Sequence, residues 1–107
     1  MDISDLKSLA DAAFDHALYR KQLRERIQAE LVMTVNGGMF KITPELLAFV
    51  QTWPVDELYL EDVHRNPIKL DKQTFLIRAQ QHYQTVMNAW HVEFEQSKRI
   101  RKGRDLV

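Results

Sequence analysis

Hydrophobic positions along the chain follow two periods, and the changes between them mark the elements. Over roughly residues 3 to 30 apolar side chains recur every three or four positions, and Asp2 or Ser4 supplies the short oxygen that caps a first helical turn. Leu6, Leu9, Ala10, Ala13 and Ala17 share one face of this helix, with so little bulk that a second helix can approach closely. Arg20 and Arg24 interrupt the stripe before Leu23, Ile27 and Leu31 resume it at a shifted angle.

The period then shortens. "LVMTV" and "MFKIT" are β-branched and apolar runs around "NGG", and Asn-Gly provides the two positive-φ residues of a type I′ hairpin turn. Thr43 and Pro44 predict the start of a short helix, Thr43 as N-cap and Pro44 at the position where a missing N–H costs nothing. Leu46, Leu47, Phe49, Val50 and Trp53 make it apolar on most sides, and Pro54 ends it. A second hairpin is predicted with strands near 58–63 and 67–70, turning at "HRNP", where Asn66 tolerates turn dihedrals.

Asp71 caps the last helix, which the pattern carries to about Lys102, with Gly103 as a left-handed residue just beyond its end. Leu76, Ala79, Tyr83, Val86, Met87, Trp90, Phe94 and Ser97 form its apolar face at 3.6-residue spacing. The expected fold is a single α+β domain over residues 1–107. Two long helices pack antiparallel, and two short β-hairpins and a short central helix complete it. Helices of about 28 and 31 residues span about 42 and 46 Å at the α-helical rise, more than the width of about 35 Å of a compact domain this size. Their ends should overhang.

Composition narrows the function. Hydrophobic residues make up 45% of the chain, enough for one core, and no cysteine is present to form a disulfide, a thiolate metal site or a cysteine nucleophile. Fifteen basic residues balance fifteen acidic ones, so nothing draws the whole molecule to nucleic acid or anionic lipid, and copies repel one another only weakly. The acidic start "MDISD" and the lack of an apolar run near 20 residues speak against secretion and membrane insertion, and the expectation is a cytoplasmic protein.

Two stretches are short of charge. Residues 31–55 carry only Lys41 and Glu45, as a buried segment would; the fourteen residues "AQQHYQTVMNAWHV" of the last helix carry no Lys, Arg, Asp or Glu at all. Burial of one face explains half of the second stretch. Its back, with Gln80, Gln81, Gln84, Thr85, Asn88 and His91, consists of groups that enter a wet contact at lower desolvation cost than Lys or Glu. Water, another molecule, or the charge-poor hairpin of the same chain could cover it. As an interface it would take a second copy or a protein partner, and acidification below about pH 6 would weaken it by charging His82 or His91.

Catalytic signatures are sparse. His82 and His91 project from nearly opposite sides of one helix and cannot share a metal, and "NGG" lacks the spacing and the Lys-Ser/Thr of a phosphate loop. Asp11 with Asp15, and His64 beside Glu61 and Asp62, have the residue types of acid–base or metal sites. Each is also an ordinary solvated arrangement, as is an ion pair of His91 with Glu95. Trp53, Tyr59, Tyr83 and Trp90 read as core or groove anchors, because they are not interleaved with basic residues. "SKRIRKGR" gathers Lys98, Arg99, Arg101, Lys102 and Arg104 at the end of the last helix. They can favour its final turn or contact phosphates, which makes nucleic-acid binding the alternative function.

"LYLEDVHRNPIKLDKQTF" followed by "YQTVMNAWHVEFEQSKRIRK" resembles small proteins encoded by T4-like tailed bacteriophages, over roughly residues 57–102. The shared feature is a hairpin feeding a terminal amphipathic helix that ends in a basic cluster. The resemblance implies a virion-assembly, accessory or host-interacting protein without enzymatic activity, located in the host cytoplasm or the virion, and it transfers no site residues. The expectation is thus a non-enzymatic interaction protein that uses a helix face, with no cofactor and no small-molecule substrate.

Overall fold

A computed structural model describes the backbone of residues 3–105 and the side chains of residues 6–99. The elements are α1 (Ile3–Glu30), β1 (Val32–Val35), β2 (Gly38–Lys41), α2 (Pro44–Thr52), β3 (Glu57–Glu61), β4 (Pro67–Asp71) and α3 (Lys72–Asp105). This is the expected α+β arrangement. β1 pairs antiparallel with β2, and β3 with β4, as two separate two-stranded sheets.

Local chemistry sets most of the boundaries. Asn36 and Gly37 take φ of 50° and 81° between the paired residues Val35 and Gly38, the type I′ turn that Asn-Gly favours. Thr43 accepts the amide of Leu46 through Oγ1 at 3.1 Å and caps α2, with Pro44 in its first turn. Asp71 accepts both the amide of Thr74, at 3.0 Å, and its hydroxyl, at 2.8 Å, at the start of α3. These bonds, the amide first, hold the Asp71 carboxyl below its ordinary range against a smaller desolvation effect.

Two details depart from expectation. Arg65, at φ 63°, takes the left-handed position in the second turn, rather than Asn66. α3 also continues through Gly103 to Asp105, because its backbone is helical there and no left-handed stop is formed.

The core has two parts. Met33, Val35, Phe40, Ile42, Val50, Leu58, Leu60, Leu70, Phe75 and Ala79 join both hairpins and α2 to the first turns of α3, and Phe40 meets Phe75 edge-on at 5.4 Å. Leu23, Ile27, Leu31 and Val86 form the second part between the end of α1 and the middle of α3. Tyr83 packs against both. The charge-poor segment 31–55 supplies half of the first cluster through Met33, Val35, Phe40, Ile42 and Val50, while its residues 51–55 are exposed. The hairpins meet closely at Gly38, where an added Cβ would lie 2.6 Å from Ile68 Cγ1. The amide of Val63 donates to the carbonyl of Met39 at 2.8 Å, and Asn36 Nδ2 to the carbonyl of Lys69 at 3.1 Å, stitching one hairpin to the other.

α1 and α3 run antiparallel: Arg26 bonds Glu93 across the pair, while His82 Nε2 lies 2.6 Å from the carbonyl of Glu30 and donates to it. The molecule measures 66 × 23 × 20 Å, so the helix ends overhang as their lengths require. The face of α1 that docks is that of Leu23, Ile27 and Leu31. The stripe of Leu6, Leu9, Ala10, Ala13 and Ala17 stays exposed, and toward the start of α1 the contact side is marked only by half-buried Ala12 and His16.

Candidate interaction surface

The apolar face of α3 is covered over part of its length. Phe75, Ala79, Val86 and Ser97 are buried, and Leu76, Tyr83, Met87 and Trp90 are half-buried. Phe94 departs from the expectation of a buried anchor. It is 37% exposed, and with Met87, Trp90 and His91 it lines an open groove. Trp53 and Tyr59 also lie outside the core. Trp53 packs on Phe49 at 5.9 Å and donates its indole N–H to the carbonyl of Glu57, while Tyr59 is exposed on the outer side of β3.

The back of α3 is bare in the single chain. Gln80, Gln81, Gln84, Thr85, Asn88 and His91 are all exposed, because the hairpins pack on the opposite side, against Phe75 and Ala79. The same chain's hairpin therefore does not cover this face. Thr85 turns its hydroxyl back to the carbonyl of Gln81 at 2.9 Å, a local bond that leaves the amides of the glutamines free to reach outward. Ile77, Gln81, Gln84, Asn88 and His91 follow one another at alternating four- and three-residue steps, the spacing of a helix-pairing seam. Ile77 and Val92 are more than half exposed and flank the amides with apolar surface.

The titratable candidates resolve into structural roles. Asp62 is buried, and its carboxylate accepts the amides of Asn66 at 2.9 Å, His64 at 3.0 Å and Met39 at 3.2 Å. The Asn66 bond is the main cause holding its carboxyl below the ordinary range; desolvation opposes it, and the Met39 and His64 amides and the His64 charge add to it. His64 is exposed at the turn, with Asp62 committed to backbone. Glu95 pairs with Lys98 at 3.6 Å in place of His91. His91 faces solvent, and His82 is half-buried and donates to the carbonyl of Glu30 at the end of α1. Among the described residues no group of three His, Asp or Glu is placed to hold a metal ion.

At the basic end, Lys98 lies 4.6 Å from the ring centre of Phe94 and Arg99 is exposed. The side chains of Arg101, Lys102 and Arg104 fall outside the described ones. Among the described residues no helix is long and apolar enough to cross a membrane.

No protein-family model, curated protein or solved structure matches this chain. Its surface has to be interpreted from its own chemistry.

Proposed function

We propose that this is a non-enzymatic interaction or assembly protein that works by pairing a helix face with another molecule, and that the back of α3 is the recognition face. The observation that carries this reading is the exposed seam Ile77, Gln81, Gln84, Asn88 and His91, which has helix-pairing spacing and no Lys, Arg, Asp or Glu. A solvated helix back ordinarily carries charge. A face of carboxamides pairs with another protein surface at low desolvation cost and fixes register by hydrogen bonds, while Ile77 and Val92 add apolar area. The resemblance of residues 57–102 to small proteins of T4-like phages fits an accessory or virion-assembly role. No cofactor enters the mechanism.

A Gln84→Glu/Asn88→Lys double variant tests it. Charge on the seam should abolish α3-mediated assembly, followed by light scattering with size exclusion at several concentrations, while far-UV circular dichroism and the melting transition stay unchanged. A double variant that assembles like the parent would overturn the reading.

A further inference from the structure

We infer that the outer edge of β3 receives an extended segment of another protein as a third, antiparallel strand, and that this segment carries basic side chains at alternate positions. The surface is separate from the back of α3. The register of the second hairpin decides which of its backbone groups are free. Asp62 bonds Asn66 at one end of the ladder and Lys72 bonds Asp56 at the other, so the hydrogen-bonded pairs between them are Leu60 with Ile68 and Leu58 with Leu70. Glu57, Tyr59 and Glu61 therefore turn their amides and carbonyls away from β4. Among the described residues nothing bonds those of Tyr59 and Glu61.

The other strand edges are closed or shorter. On β4, Pro67 has no N–H to give, and the carbonyl of Lys69 already accepts Asn36 Nδ2. On β2, the amide of Met39 is bonded to Asp62 and its carbonyl to Val63. β1 has four residues, and of its outward positions Val32 is half-buried. β3 carries no proline, and Tyr59 is 63% exposed with Glu57 and Glu61 exposed on either side. One donor already uses this edge, the Trp53 indole N–H on the carbonyl of Glu57 at 3.0 Å. That bond limits the open stretch at one end, and Val63, bonded to Met39, limits it at the other.

Charge selects the occupant. Residues 54–63 carry Asp56, Glu57, Glu61 and Asp62 and no Lys or Arg. Lys69 reaches Glu57 across the hairpin at 3.4 Å, but among the described residues no cation lies within ion-pair distance of Glu61. A second copy is a poor fit, because two β3 edges paired about Tyr59 would set Glu57 against Glu61 of the other copy at both ends. A segment with Lys or Arg opposite Glu57 and Glu61 meets opposite charge at both places. Its residues opposite Tyr59 and Glu61 exchange main-chain bonds with the free amides and carbonyls, and the side chains between them turn to the side of Leu58 and Leu60, where apolar groups suit.

The probe is a pentapeptide blocked at both ends, Lys-Val-Thr-Val-Lys, titrated into the isotope-labelled full chain and followed by NMR. Saturable shifts at the amides of Tyr59 and Glu61 are expected at millimolar peptide. N-methylation of the central Thr removes the donor that meets the Tyr59 carbonyl and should abolish binding, whereas N-methylation of the first Val, whose N–H points away from β3, should leave the affinity within about two-fold. Glu61→Lys should weaken the peptide about ten-fold, and a peptide with Glu in place of both Lys should bind this variant more tightly than it binds the parent. Far-UV circular dichroism checks that the variant folds. Shifts that miss Tyr59 and Glu61, binding that survives N-methylation of the Thr, or a parent dimer that Tyr59→Cys locks by a disulfide would overturn the inference. The second result would mean attraction by charge alone and the third a second copy on the edge. Assembly through α3 is read separately with Gln84→Glu/Asn88→Lys, so either surface can fail while the other stands.

Discussion

Asp62 joins the two hairpins through one carboxylate. Its bonds to the amides of Asn66 and His64 close its own turn, and its bond to the amide of Met39 reaches the neighbouring hairpin. An ionised oxygen is the stronger acceptor, so the folded state favours the charged form and the carboxyl titrates below its unfolded value. The sign follows. Stability from this group is fully present above the unfolded carboxylate pKa of about 3.9 and is lost as pH falls through and below that value toward the folded pKa. Asp62→Asn should therefore lower the melting temperature at pH 7 and flatten its decline between about pH 5 and 2, read by thermal unfolding at several pH values. Equal acid sensitivity in variant and parent would show that other carboxylates govern the decline. At this scale Thr43 and Asp71 were legible in the sequence as caps, because a cap acts over three residues. The role of Asp62 was not legible, since one of its partners is Met39, 23 positions away.

The meeting of the hairpins is an element-scale event. The separation of the sheets at Gly38 is set by the lack of a side chain there, not by an unusual φ, and Ile68 fills the space a Cβ would need. Gly38→Ala should push the hairpins apart and destabilise the chain by about 1–3 kcal/mol, the usual cost of overpacking. Gly37→Ala has open space around it but a φ of 81°, and should cost about 1 kcal/mol from backbone strain alone. Urea unfolding of both variants checks the contrast, and a neutral Gly38→Ala would mean the contact is loose. Both hairpins, the short helix and much of the buried stripe of α3, Ser97 included, were legible from periodicity and turn chemistry, but the expected stripe left out buried Phe75 and included exposed Phe94. The end of α3 was misplaced because glycine permits a left-handed stop without enforcing one.

At the scale of the molecule, a Cα radius of gyration of 20.0 Å is well above the roughly 13 Å of a compact domain this long. The excess lies in the helix ends that project beyond both core clusters. Residues 6–18 of α1 have no fully buried side chain, so their helical bonds lack the tertiary support that residues 23–31 receive. The amides of residues 6–18 should exchange with deuterium faster than those of 23–30. Hydrogen-exchange mass spectrometry reads the difference, and uniform protection of α1 would contradict this account of the arm.

The sequence by itself determined what is encoded within a few residues of chain: the order and type of the elements, the Asn-Gly turn, the caps, and the stripe of α3 that faces the core. Only the tertiary structure decided which of the two stripes on α1 would dock, that the back of α3 lies open to solvent, that Trp53 and Tyr59 stay outside the core, and that Asp62 serves backbone amides. Those outcomes depend on which surfaces the whole chain can bury together at once. A helix with two apolar lines satisfies the same local rules whichever line is buried.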